Sequence, residues 1–172
     1  MEPKVNIALE AARAGCKELL SFAYRLDQLE IKEKGPSNFV TQLDKKVESI
    51  IIESLKSIYP KHTYVSEEVG RIEGSGKDIE SMWVIDPLDG TTNYIHGFPV
   101  YCVSIALKIK DRLEVAVIYD PSRQELFTAI RGMGSQLDGR KIRVSKHATL
   151  QGSLLGTGFP FRDQKDWLEL YL

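Results

Sequence analysis

The run Trp83-Val84-Ile85-Asp86-Pro87-Leu88-Asp89-Gly90-Thr91-Thr92-Asn93 carries the densest chemistry in the chain. An apolar, strand-like stretch leads straight into two carboxylates, a tight turn and hydroxyls. Pro87 restricts φ and Gly90 allows close backbone approach, so Asp86, the Leu88 carbonyl and Asp89 are expected to converge on one point. Two carboxylates about 4 Å apart repel by roughly 4 kcal/mol at an effective dielectric of 20. A hard cation removes that cost, and Mg²⁺, which prefers oxygen ligands, suits it. Ser66-Glu67-Glu68 closes another short extended segment and offers a third and a fourth carboxylate. Taken singly, Asp-Pro and Asp-Gly make turns and a Glu-Glu pair is a solvated surface. The length of the combined pattern is what argues for a site. If Thr91 and Thr92 open a helix, their N–H groups and its dipole add a place for an anion beside the cation.

Other residues invite chemistry less strongly. Thr41-x-x-Asp44 before an apolar periodic run reads as a capping box, although Asp44 is also a spare carboxylate. His96, alone in a loop after the short helix, is expected to be structural. Cys16 and Cys102 are far apart and lack a CxxC partner, so they are expected to be reduced packing residues. The segment Arg140–His147 alternates basic and apolar side chains, as an edge strand with a solvated face does; contact with an acidic partner or RNA is the alternative.

The elements that position these groups follow from periodicity. Val5, Ala8, Ala12, Leu19, Phe22, Leu26 and Leu29 mark a one-faced helix from Val5 to Leu29. Leu43, Val47, Ile50, Ile51, Leu55 and Ile58 mark a second helix from about Thr41 to Tyr59, stopped by Pro60. Extended segments are expected at His62–Ser66, Met82–Ile85, Val103–Ile109, Leu113–Tyr119 and Glu125–Ile130. Asp120-Pro121-Ser122-Arg123 and Asp138-Gly139 supply turns, and Gly70 to Ser81 reads as one long loop. Helices first and strands afterwards give an α+β fold, with a mainly antiparallel sheet packed against paired N-terminal helices. From Asp163 a helix over Gln164–Leu172 would expose Trp167, Leu168, Leu170, Tyr171 and Leu172, so the chain is expected to continue in a longer protein or to cover that face with a partner.

Composition narrows the classes. With 23 Lys+Arg against 24 Asp+Glu in 172 residues the chain has no general nucleic-acid footprint. Its length suits a single domain, 1–172. No apolar run reaches the roughly 18 residues of a membrane span, and Met1-Glu2-Pro3-Lys4 lacks a leader's basic-then-apolar layout, so a cytoplasmic location is expected.

The Asp86-to-Asn93 motif, with Lys34…Asn38-Phe39-Val40-Thr41-Gln42-Leu43-Asp44, Ser66-Glu67-Glu68, Asn93-Tyr94-Ile95-His96-Gly97-Phe98-Pro99 and Gly156-Thr157-Gly158-Phe159-Pro160-Phe161, resembles the inositol monophosphatase family of lithium-sensitive, Mg²⁺-dependent phosphatases. The last piece is most similar to its bacterial SuhB-type branch. The resemblance implies a sugar-phosphatase-like layered sandwich whose C-terminal layer is incomplete here. It also implies hydrolysis of inositol monophosphate by metal-activated water. By the same resemblance Glu67, Asp86 and the Leu88 carbonyl hold one metal, and Asp86 and Asp89 share another. Thr91 and Glu67 orient the attacking water, Asp44 acts with Glu67, and the Gly90 and Thr91 amides bind the substrate phosphate. Family members run roughly a third longer, and their C-terminal Trp-Asp-x-Ala motif, absent here, completes the second metal site; weak Mg²⁺ binding and poor turnover by this chain are therefore expected. A homodimer is implied. Fructose bisphosphate or phosphoadenosine phosphate are alternative substrates, because related phosphatases share the Asp-Pro-x-Asp-Gly core. A regulatory role in transcription antitermination or rRNA maturation, through antitermination factors or RNA polymerase, is the alternative of another class.

Overall fold

The computed structural model describes residues 3–28, 31–35, 38–75 and 80–156. Helix α1 spans Pro3–Phe22, followed by a 3₁₀ turn at Leu26–Gln28. A hairpin of β1 (Ile31–Gly35) and β2 (Asn38–Thr41) feeds directly into α2 (Gln42–Ile58). The remaining strands are β3 (Thr63–Ser66), β4 (Gly70–Ile72), β5 (Ser81–Asp89), β6 (Cys102–Ile109), β7 (Arg112–Asp120), β8 (Glu125–Ile130), β9 (Gly134–Leu137) and β10 (Arg140–Lys141). A short helix, α3 (Thr91–Ile95), follows β5. Among the described residues no helix is long and apolar enough to cross a membrane.

The large sheet runs β10-β9-β8-β7-β6-β5-β3-β4, and every neighbouring pair is antiparallel except β3 and β5. Strand alternation sends Val103, Ile105 and Leu107 of β6, Val115 and Val117 of β7, and Trp83 and Ile85 of β5 into one core. The helices cover that face, α1 across β6 and β7 and α2 across β5. They approach closely because α1 buries Ala8, Ala11, Ala12 and Gly15 between its larger apolar residues. A Cβ on Gly15 would stand 3.0 Å from Val47 and Ile51, so glycine sets the spacing of the helix pair.

The expected α+β architecture is what forms, with differences at element ends. Helix one stops at Phe22 instead of Leu29, which lies outside the described residues: the chain turns at Ala23, whose N–H bonds Leu20 O at 3.3 Å, and tightens into the 3₁₀ turn at Leu26. The long loop after Gly70 opens with a strand, β4, which pairs with β3. Of Arg140–His147 only Arg140–Lys141 is paired, across a two-residue turn with Asp138 and Gly139 at φ 50 and 77, and the rest runs irregular and exposed. Asp120 Oδ1 accepts from the N–H of Ser122 at 2.8 Å and of Arg123 at 3.0 Å, which makes the expected turn. The expected helix over Gln164–Leu172 and the Thr157–Phe161 portion of the glycine-rich piece lie outside the described residues.

Candidate active site

The strand expected at Met82–Ile85 runs on to Asp89, and its last residues explain the site. Asp86 pairs with Ser104 and Asp89 pairs with Cys102, so three steps along β5 oppose two along β6. Residues three apart on a regular strand point to opposite faces. The one extra residue, at Pro87-Leu88, is a bulge that returns Asp89 to the face of Asp86. Pro87 has no N–H to give to a ladder, and the β3 side of β5 is already unpaired there, because that register ends at Ser66↔Ile85.

The parallel pairing brings in the third acid. Since Ser66 lies beside Ile85, the next residues along the two strands, Glu67 and Asp86, leave the sheet side by side at its carboxyl ends. The fourth acid comes from α2, where Asp44 sits in the first turn and is 3% exposed. Thr91 Oγ1 lies 3.3 Å from Asp44 Oδ1 and 3.0 Å from the Leu88 carbonyl oxygen, so its single proton serves one of two acceptors. Thr41 occupies the residue before α2, and the bond to Thr91 gives Asp44 a tertiary partner whatever it does for the helix end.

The electrostatics record the crowding. Asp86 is half-buried, and its carboxyl is pushed up to about 6 by burial first and then by Glu67, with Asp89 and Asp44 adding to the effect; the Leu88 N–H, donating to Asp86 Oδ1 at 3.1 Å, opposes it. Among the described residues no Lys or Arg pairs with Glu67, Asp86 or Asp89. The oxygen-only donor set suits Mg²⁺ or Mn²⁺. No three His, Cys, Asp or Glu side chains among the described residues are gathered closely enough to enclose an ion as they stand. Glu67 and Asp89 are exposed, however, so their carboxylates can turn without displacing packed neighbours. The donor chemistry and the uncompensated negative charge fit a divalent cation.

Beside the acids, Gly90 takes φ 93 and precedes α3, which opens at Thr91 as the paired threonines suggest. A Cβ there would come within 2.8 Å of Val100 O, so only glycine permits this approach. Tyr94 fixes α3 to the rest of the protein by donating from its hydroxyl to Leu19 O at 2.6 Å and packing edge-on against Tyr101 at 4.9 Å. His96 Nδ1 lies 2.7 Å from Thr92 O within the same turn, a structural placement. An open cleft of about 330 Å³ borders Asp89 and Gly90, with Asn93, Cys102 and Arg123 on its walls.

Cys16 is buried and reduced, as expected of a packing residue. Cys102 is also reduced, but its Sγ lies 3.8 Å from Asp89 Oδ2, and burial, with Asp89 next, pushes the thiol up to about 12. Nothing in the spacing of the two residues signals that neighbour; it follows from the β5–β6 register alone.

A model of the inositol monophosphatase family matches residues 1–171. A Pseudomonas aeruginosa protein named Nus factor SuhB is 53% identical over 173 residues, covering 100% of this chain and 64% of its own length. The crystal structure of the extragenic suppressor protein SuhB from Bartonella henselae superposes with a TM-score of 0.79 at 39% identity, over 83% of this chain and 54% of that one. An inositol monophosphatase from Anabaena gives 0.68 at 38% identity, over 83% and 50%. The chain spans less than two thirds of the length of the curated relatives it matches.

Proposed function

The chain belongs to the inositol monophosphatase family, and from that premise we propose that it forms the hydrolytic part of a Mg²⁺-dependent phosphomonoesterase acting on inositol monophosphate. The observation that carries this is the β5 bulge, which sets Asp86 and Asp89 on one face beside Glu67. Glu67, Asp86, Asp89 and the Leu88 carbonyl would hold the cation. Bound there, a divalent ion supplies Lewis acidity, lowering the pKa of a water and offsetting phosphate charge. The protein's own groups do the rest. Thr91 gives its proton to Asp44 or to Leu88 O, which leaves its oxygen lone pairs to accept from the attacking water, while Glu67 accepts that water's other proton. The Gly90 and Thr91 amides donate to the phosphate, and the cleft along Asp89, Gly90 and Asn93 receives the polyol. No covalent phosphoenzyme is needed.

The test is Mg²⁺-dependent phosphate release from inositol 1-phosphate, fructose 1,6-bisphosphate and phosphoadenosine phosphate by the parent chain and by Asp89→Asn. Faster release from the inositol ester, lost by about a hundredfold or more in the variant as for other transition-state charge-stabilising groups, supports the reading. Measurable Mg²⁺-dependent release that proceeds at the same rate in parent and variant refutes it. The same assay with added Li⁺ should show inhibition, and light scattering should show a dimer.

The 53% identity to a protein named Nus factor supports a second reading, in which the chain acts through transcription antitermination factors. Complementation of that role by Asp86→Asn would separate it from catalysis in the cytoplasm.

A further inference from the structure

We infer that Glu48 is the positioning residue for Glu67, an inference that rests on the metal-binding reading above. Asp44 and Glu48 are one turn apart on α2 and so lie on one helix face. Both are buried, Glu48 completely. Asp44 meets Thr91, in the turn that follows β5. Glu48 meets the other acid-bearing turn: its Oε1 accepts from the Val69 N–H at 3.0 Å. Ser66 pairs with Gly70, so Glu67, Glu68 and Val69 form the loop between β3 and β4, and Glu67 itself is exposed at its start. One helix face thus gauges both turns of the site.

Glu48 is a costly way to satisfy one amide. Its Oε2 is buried with no hydrogen-bond partner, and so is Ser66 Oγ, in the residue just before Glu67. Strand alternation puts Ser66 on the face of Tyr64, whose hydroxyl donates to Tyr59 O just beyond α2. Both orphan oxygens are buried, one on α2 and one on the last residue of β3, the two elements that the Val69 bond ties together. A carboxylate kept there with half its acceptors unused weakens the fold relative to an apolar side chain of the same size. What it gains is the placement of the loop. With Val69 held, the Glu67 backbone stays beside Asp86 and only its side chain needs to turn toward a cation.

Mn²⁺ serves as the probe, its affinity read by electron paramagnetic resonance for the parent, Glu48→Gln, Glu48→Asp, Glu48→Met and Asp86→Asn, together with amide exchange at Val69 by NMR. Gln keeps an oxygen at the reach of Glu, so Glu48→Gln should bind Mn²⁺ within about twofold of the parent and protect Val69. Asp keeps the carboxyl but is one methylene short, and Met keeps the bulk but has no oxygen. Both variants should bind at least tenfold more weakly and exchange Val69 at least tenfold faster. Parent-like Mn²⁺ binding by Glu48→Met, or a loss in Glu48→Gln equal to that in Glu48→Met, overturns the inference. If Glu48→Met does not fold, Glu48→Asp decides by the same criteria. If the parent and Asp86→Asn bind Mn²⁺ alike, the metal reading has failed. Val69 then decides alone: faster exchange in Asp and Met but not in Gln sustains the positioning claim, and unchanged exchange in Asp and Met ends it.

Discussion

Replacing Asp86 with Asn should make the metal-stripped protein more stable. The carboxyl stands at about 6 in the folded chain against an ordinary 3.8, because burial and then Glu67 disfavour its charge. The folded state therefore keeps a proton between about pH 4 and pH 6 that the unfolded chain has released, so stability falls as pH rises through that window and levels off above it. A shift of about two units corresponds to roughly 3 kcal/mol. Asp86 is only half-buried, and solvent screening reduces this to about 1–2 kcal/mol. Asn retains the oxygen that accepts from the Leu88 N–H, so the bulge is preserved while the charge is removed. Urea unfolding in EDTA, followed by the fluorescence of buried Trp83, should show Asp86→Asn matching the parent at pH 4. At pH 7.5 it should exceed the parent by about 1–2 kcal/mol, or about 3–6 °C in Tm for a chain of this length. Mg²⁺ should then raise the parent's midpoint at pH 7.5 and leave the variant's unchanged. A variant no more stable than the parent at pH 7.5 in EDTA would refute the view that these acids are held together at a cost.

Gly90→Ala should lower stability by about 1–3 kcal/mol, because the left-handed φ and the approach to Val100 O both penalise a Cβ; the urea midpoint checks it, and an unchanged midpoint would count against the tight turn. Tyr94→Phe should cost about 1–2 kcal/mol by leaving the Leu19 carbonyl without its 2.6 Å donor, a loss that thermal unfolding should register.

Where the sequence is most periodic, it specifies its elements directly. Helix α2 came out within a residue at each end, since Leu43, Val47, Ile51 and Leu55 repeat at helical spacing and Pro60 forbids continuation. The strands β6, β7 and β8 alternate cleanly because only one face meets the helices. The acids near Asp86 were visible as a motif, but the reason Asp86 and Asp89 share a face was not. That depends on which β6 residue each opposes, a non-local fact that a period-two pattern broken by Pro87 does not contain. The same blindness hid Cys102 beside Asp89 and Glu48 beneath Val69: a glutamate within a helical stretch reads as a solvated residue until the fold buries it. Strand β4 is not legible in the sequence because Gly70-Arg71-Ile72 is too short to show a period.

Helix α1 carries none of the chemistry, yet it grips the centre from two directions. Gly15 lets Val47 and Ile51 of α2 settle against it, which fixes the height at which Asp44 is presented, and Leu19 O tethers Tyr94, three residues beyond Thr91. Trimming the amino-terminal helix would therefore be a lesion of the candidate site as well as of bulk, loosening the partner of the Thr91 hydroxyl and the turn that bears it in a single cut.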